Sequence, residues 1–338
     1  MNPSPSPWRL SVAPMMDWTD RHCRFFHRLL TRRARLYTEM VTTGALLHGD
    51  VPRHLDFDPA EQPVALQLGG SEPADLAAAA RLGERWGYAE INLNCGCPSE
   101  RVQRGSFGAC LMAEPGLVAD CVKAMRDAVP LPVTVKHRIG IDRFESYDFV
   151  RDFVGTVAAS GGCEVFIVHA RNAWLQGVSP KENRELPPLR YETVVRLKHD
   201  FPALTFVVNG GVRTEAQIAG HLESVDGVML GRESYHHPWM MAGWDERFFG
   251  APASGLDRDA VEAAMVEYME QRLRDHGDPW SRIARHMIGL RNGEPGARRW
   301  RKVWSDHGLK NETAREVSRR ARAAMARSTE AQDAELPA

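Results

Sequence analysis

Eight short apolar runs between Leu10 and Leu230 constrain this chain more than any other feature in it. They are Leu10–Ala13, Leu36–Thr38, Val64–Leu68, Ile91–Leu93, Val133–Lys136, Val165–Val168, Thr205–Val208 and Gly227–Leu230. Most carry β-branched residues, and segments of helical character lie between them. Pro73 to Trp86 reads as a helix, with proline at its start, Leu76 and Leu82 among alanines, and Gly87 closing it. Leu117–Val129 repeats the pattern, with Val118, Cys121, Val122 and Met125 on one face; Phe144–Ser160 and Thr214–Leu222 supply further crossovers. Strands that alternate with helices pair in parallel, because each crossover returns the chain to the same edge. Eight such units predict an α/β fold, a (β/α)8 TIM barrel over residues 10–250. The competing doubly wound sheet usually has fewer strands and a glycine fingerprint after the first. Here the first run is followed by Ala13-Pro14-Met15-Met16.

The remainder is organised differently. Met1 to Pro7 is rich in proline and serine, so residues 1–9 are expected to be a frayed N-terminus. Ala251–Leu256 reads APASGL, a linker composition, and Asp257–Arg274 and Glu312–Arg327 look helical. A smaller all-α domain is therefore expected over 251–327, with a polar, disordered tail over 328–338. The formal net charge is −1, yet 13 Lys/Arg face only 4 acidic residues between Arg282 and Arg327. That local surplus points to a polyanionic partner held by the C-terminal part. Six cysteines make no disulfide framework, and no run resembles a secretory leader or a bilayer span. The expectation is a soluble, monomeric protein of a reducing cytoplasm. Cys95 and Cys97 lack the CxxC spacing of a zinc knuckle, and no metal site is expected.

In a barrel, residues at the C-terminal ends of the strands share one pocket. Those ends carry Pro14, Met15 and Met16, then Glu39, Gln67, Asn94 and Cys97, Lys136 and Arg138, His169 and Arg171, Asn209-Gly210-Gly211, and Gly231-Arg232. The last two sets fall where barrels commonly bind phosphate: glycine lets backbone N–H groups approach the oxygens, and arginine adds charge. With Lys136 and His169 beside them, a flavin mononucleotide (FMN) suits the site, since a lysine stabilises the negative charge of a reduced isoalloxazine. His169 taken alone reads better as a satisfied core histidine. Cys97 taken alone leaves a reactive thiol and a small buried residue both open.

The stretches APMMDWTDRHCRFF, LYTEMVTTGAL, VALQLGGSEP, EINLNCGCPSERVQRGSFGACLM, VTVKHRIGID, FIVHARNAWLQG, SPKENRELPPL, VVNGGV and DGVMLGRESY run in order along the barrel. In these the chain resembles the bacterial tRNA-dihydrouridine synthases, and most closely their DusA subfamily. Cys95 and His137 depart from the usual pattern. The resemblance implies FMN-dependent reduction of the C5–C6 bond of uridine in the tRNA D-loop, around positions 20 and 20a. NADPH would serve as reductant, FMN would deliver hydride to C6, and Cys97 would protonate C5 as general acid. A thiol of ordinary pKa, ~8.5, is protonated at neutral pH and can donate. It also implies FMN contacts at Pro14, Met15, Met16, Gln67, Lys136, His169, Asn209, Gly210, Gly211, Gly231 and Arg232. Contacts to tRNA are implied at Asn94, Lys181, Arg184, Arg298 and Arg301. The basic C-terminal segment then grips the phosphate backbone while one base is extruded into the barrel. Two rivals remain at this stage: a flavin barrel acting on a free pyrimidine, and a non-catalytic RNA-binding scaffold.

Overall fold

In the computed structural model, which describes residues 6–99, 102–103 and 105–333, the chain divides into two compact units. The first contains residues up to Arg21 and Arg33–Gly231; the second gathers His22–Arg32 with Arg232–Ala338. The APASGL linker thus lies inside the second unit.

The first unit is built on eight strands: β1 (Leu10–Val12), β2 (Arg35–Thr42), β3 (Val64–Gly69), β4 (Glu90–Cys95), β5 (Val133–Arg138), β6 (Val165–His169), β7 (Thr205–Asn209) and β8 (Gly227–Leu230). They pair in parallel in sequence order, and β8 closes onto β1 with Leu10 opposite Val228 and Val12 opposite Leu230. This is the closed (β/α)8 barrel predicted from the runs. β2 is longer than its apolar core, Leu36–Thr38, because its register shifts between Tyr37 and Met40 and pairing resumes beyond the irregularity.

Local chemistry explains the crossovers. Pro73–Arg85 starts on proline, which lacks only an N–H that the first turn leaves unpaired, and Gly87 follows at φ +84°. Tyr147–Gly161 is capped by the Ser146 hydroxyl, which accepts from Phe149 N, and ends on left-handed Gly162. Glu215–Leu222 opens with a reciprocal capping box between Thr214 and Gln217. Ala13, Tyr37, Ala65, Ile167, Val207 and Met229 form an apolar cluster of buried residues, with Trp8 packed against it. Trp8 also donates its indole N–H to Glu90 Oε2 at 2.7 Å, which anchors the chain two residues before β1. Met1–Pro5 lie outside the described residues.

The second unit is helical. Its longest described helices are Arg258–His276, capped by Asp257, and Ala314–Asp333; Ala297–Trp304 lies between them. Their shared core is organised by Glu262, fully buried. Glu262 Oε2 accepts from Arg291 at 2.7 Å and Trp300 Nε1 at 3.1 Å, and Oε1 accepts from Ser318 at 2.8 Å. A buried carboxylate is tolerable because each of its oxygens meets a donor and one donor is cationic. Among the described residues, no helix is long and apolar enough to cross a membrane.

Candidate active site

β4 reads Glu-Ile-Asn-Leu-Asn-Cys, and its alternation decides what fills the barrel. Glu90, Asn92 and Asn94 point inward; Ile91, Leu93 and Cys95 occupy the outer face, where Ile91 meets the Pro73–Arg85 helix at Gly83. The inward residues join a single file of hydrogen bonds. Thr134 Oγ1 donates to Glu90 Oε1 (2.6 Å), and Asn92 Nδ2 donates to Thr134 Oγ1 (2.8 Å). Gln67 Nε2 donates to Asn92 Oδ1 (2.8 Å), and Asn94 Nδ2 to Gln67 Oε1 (3.0 Å). Asn94 Oδ1 in turn accepts the backbone N–H groups of Gly96 (3.1 Å) and Cys97 (3.0 Å).

Cys97 is held from its other side too, since its carbonyl accepts from Ala109 N at 2.9 Å. A Cβ on Gly108, where φ is +80°, would come within 2.6 Å of that carbonyl, so only glycine lets the two segments approach. The thiol is partly exposed and lies 3.5 Å from Ser99 Oγ. Cys95, two residues earlier, is fully buried on the outer face, and burial pushes its thiol well above the usual range. It is a packing residue, which accounts for the departure at this position. His137 also faces outward, against Phe153 and Phe166, and burial brings its pKa down to about 4.

Across the barrel mouth, Lys136 Nζ donates to Asn209 Oδ1 (3.0 Å), and Asn209 Nδ2 donates to Met229 O (2.8 Å). Enclosure of its ammonium lowers the Lys136 pKa to about 7, and the like charge of Arg138 adds to the effect. His169 is buried, and burial, then Arg138 and Lys136, hold it well below its usual value, so it is a neutral imidazole. Gly210 follows at φ +114°; a Cβ there would meet His169 at 2.6 Å. Gly211 is left-handed as well, and Tyr191 OH donates to Gly210 O at 2.6 Å. Pro14 and Met15 are half-buried and Met16 is 56% exposed at the end of β1; Met15 N is held by Thr19 Oγ1 at 2.9 Å. A Cβ placed on Gly231 would lie 3.9 Å from Met15 Sδ, so these two segments meet.

Arg138 braces three loops through carbonyls alone: Gly96 O (3.2 Å), Asn172 O (3.1 Å) and Asn183 O (2.9 Å). Burial pulls it down to about 9, which leaves it cationic at neutral pH. Asn183 also exchanges two hydrogen bonds with the backbone of Trp174, at 2.8 and 2.7 Å. The short helix Glu182–Arg184 is thereby fixed, with Lys181 and Arg184 exposed on either side of buried Asn183. The first unit thus brings together Pro14, Met15, Gln67, Asn94, Cys97, Lys136, His169 and the glycines that follow β7 and β8, Gly210, Gly211 and Gly231. Arg232 opens the helix Arg232–His236 and belongs to the second unit, as do Arg298 and Arg301.

In that unit, Ala297–Trp304 buries Ala297, Trp300 and Trp304 and turns Arg298, Arg299 and Lys302 outward. These three, Arg301 and Lys310 enter no ion pair among the described residues, and Arg301 NH1 donates to Asn292 Oδ1 at 2.5 Å. A cavity of about 480 Å³ opens beside them, lined by Arg285, Asn292, Arg301, Trp304 and Lys310 among others. Several other C-terminal cations are internally neutralised. Arg291 binds Asp259, Glu262 and Glu294; Arg319 and Arg320 bind Glu316; Arg315 binds Glu267. Four of the cations without an ion pair among the described residues, Arg298, Arg299, Arg301 and Lys302, thus belong to the Ala297–Trp304 helix. Among the described residues, no three His, Cys, Asp or Glu side chains gather as a metal site.

Sequence reasoning left Glu90, Asn92 and Thr134 out of the site and gave Arg138 and Asn183 no role. The signal was there for the first two: a polar residue at every second position of a strand otherwise apolar.

The model of one family, described as "Dihydrouridine synthase (Dus)", matches residues 11–328. A "tRNA-dihydrouridine(20/20a) synthase" of Pseudomonas putida is 58% identical over 303 residues, covering 90% of this chain and 89% of that protein. Proteins with the same name from Yersinia pestis and Escherichia coli K12 are each 57% identical over 302 residues, covering 89% of this chain and 87% of their own length. With a matched segment that takes in all but the first strand residue of the barrel and most of the helical unit, the chain belongs to the dihydrouridine synthase family.

Proposed function

We propose that this chain reduces the C5–C6 double bond of uridine in tRNA, at positions 20 and 20a of the D-loop, with FMN as bound cofactor and NADPH as reductant. The family is flavin-dependent, and its relatives at 57–58% identity carry the tRNA-dihydrouridine(20/20a) synthase name. The carrying observation is a partly exposed thiol, clamped through both backbone polar groups, at a barrel mouth where Lys136 donates to the neutral amide of Asn209 and Arg138 to backbone carbonyls.

The residues fit a flavin. Gln67 and Asn94 each have two amide hydrogens and use one in the file, which leaves one apiece to donate to a ring carbonyl or nitrogen. Lys136 offers a cation with a neutral partner, suited to the charge of a reduced ring. Gly210, Gly211 and Gly231 offer backbone N–H groups, and Arg232 supplies charge for the phosphate. Pro14, Met15 and Met16 would line the remaining side, and neutral His169 would donate or accept without adding charge. A bound, reduced flavin supplies the hydride that goes to C6.

The chain's own residues do the rest. Cys97 Sγ–H gives its proton to C5 as the hydride reaches C6, which saturates the bond and leaves a thiolate that solvent reprotonates. Arg138, cationic beside this loop, stabilises that thiolate. Asn94 orients the loop and, with Lys181 and Arg184, meets the RNA; Arg298 and Arg301 hold its backbone. An extruded base is needed because stacked uracil exposes neither carbon to a flavin face.

The test uses purified protein, NADPH and unmodified tRNA, with free uridine and orotate as alternatives. The reading predicts a yellow protein releasing FMN on denaturation, and dihydrouridine formed only in tRNA. Turnover of free pyrimidine at a comparable rate, or a colourless protein that takes up no FMN, would overturn it.

A further inference from the structure

We infer that Glu90, buried at the far end of the barrel from Cys97, sets the direction of a hydrogen-bonded relay that positions the catalytic cysteine, with Thr134 as its key link. The inference rests on the proposed role of Cys97. It starts from the two ends of the file. Glu90 is fully buried, accepts from Trp8 Nε1 (2.7 Å), Tyr37 OH (2.7 Å) and Thr134 Oγ1 (2.6 Å), and forms an ion pair with the Arg35 guanidinium (3.1 Å). Surrounded by donors, the carboxylate acts only as an acceptor. Burial, then the charge of Glu90, hold the Tyr37 phenol well above its usual pKa, so it keeps its proton and donates it to Glu90 Oε1. At the other end, Gly96 and Cys97 present backbone N–H groups, which are donors alone.

Between an acceptor-only end and a donor-only end, the links have one consistent orientation. Thr134 must donate to Glu90, so it accepts from Asn92; Asn92 then accepts from Gln67, and Gln67 from Asn94. Flipping any one amide sets donor against donor and oxygen against oxygen in a dry interior, where each unpaired group is costly. The amide of Asn94 is therefore forced to turn its oxygen to the cysteine loop and its nitrogen to Gln67. Each donor in the file also polarises the next carbonyl, which strengthens the last bond, the one that holds Cys97. Glu90 and Thr134 are positioning residues: they touch neither substrate nor cofactor and act through Asn94.

Thr134 separates this role from packing. Thr134→Val keeps shape and deletes the hydroxyl, while Glu90 retains Trp8, Tyr37 and Arg35. Thr134→Ser restores the hydroxyl, and Thr134→Ala removes it with less bulk should valine strain the barrel. Three readouts are taken on the flavin-loaded protein: flavin content and its reduction by NADPH, reoxidation of the reduced enzyme by tRNA, and iodoacetamide labelling of Cys97 followed by peptide mapping. For the valine and alanine variants, flavin content and NADPH reduction stay at the wild-type level. Reoxidation by tRNA slows at least ~10-fold, Cys97 labelling changes several-fold, and serine restores both. Wild-type reoxidation and labelling in the valine variant, equal loss in serine and valine, or loss of flavin would each overturn the relay. Labelling needs no tRNA, so a wild-type protein inactive on tRNA would refute the proposed function while that arm still judges the relay.

Discussion

Lys136 carries its ammonium into an enclosed site whose nearest partner is the neutral amide of Asn209. Its pKa of about 7 lies far below the ordinary lysine value, so between pH 7 and ~10 the unfolded chain holds more protons than the folded one. Stability of the flavin-free protein therefore rises with pH across that window, and the cost of the buried charge is complete below it. Lys136→Met should raise the melting temperature of flavin-free protein at pH 7, with the gain shrinking towards pH 10, while flavin affinity falls. Melting curves at the two pH values check this; a gain independent of pH contradicts it. Gly210 is a second residue whose identity is dictated locally. With φ at +114° and His169 only 2.6 Å from a would-be Cβ, Gly210→Ala should cost roughly 1–3 kcal/mol and release flavin more readily, measured by denaturant titration and absorbance. Neither effect was legible in sequence. A lysine and a glycine at strand ends suggest a phosphate and flavin site, but the neutral partner and the touching imidazole come from β7 and β6, far along the chain.

The helix Ala297–Trp304 is an element whose chemistry depends on its neighbours. Trp300 and Trp304 hold one face in the core, which obliges Arg298, Arg299 and Lys302 to face water, with no carboxylate paired to them among the described residues. The final helix, Ala314–Asp333, has more arginines, but Arg315, Arg319 and Arg320 are spent on Glu267, Glu312 and Glu316. Replacing Arg298 and Arg301 together by alanine should weaken tRNA binding and reduce the slope of log affinity against log salt by about 2, with flavin content unchanged. Arg315→Ala with Arg319→Ala should move that slope less. Filter binding across a salt series measures both; equal slopes for the two double variants would remove the special role of Ala297–Trp304. A charge count along the chain predicted the partner's sign but could not tell paired arginines from unpaired ones. The strands were more legible. Parallel strands buried on both faces show as apolar runs, so all eight were found. What escaped was β4's inward face, since polar residues inside a barrel make sense only once Gln67 and Thr134 from the adjacent strands stand beside them.

At the scale of the molecule, a barrel presents Cys97 at its mouth, and a helical unit presents cations that enter no ion pair among the described residues. The fold followed from periodicity, and the chemistry from the family resemblance carried by the motifs at the strand ends. The division into units did not follow: His22–Arg32 groups with Arg232–Ala338, a pairing between distant segments that no local pattern announces. The account joins these parts in one claim, that Cys97 delivers a proton to an extruded tRNA uridine. The direct measurement is dihydrouridine at positions 20 and 20a in tRNA from a strain lacking this gene, complemented with the wild-type chain or with Cys97→Ala. The wild-type chain should restore both positions. The alanine variant, expressed at the same level and still binding flavin, should fall by at least ~100-fold in the rate of restoration. Full dihydrouridine with the alanine variant, or none with the wild type, would contradict the account.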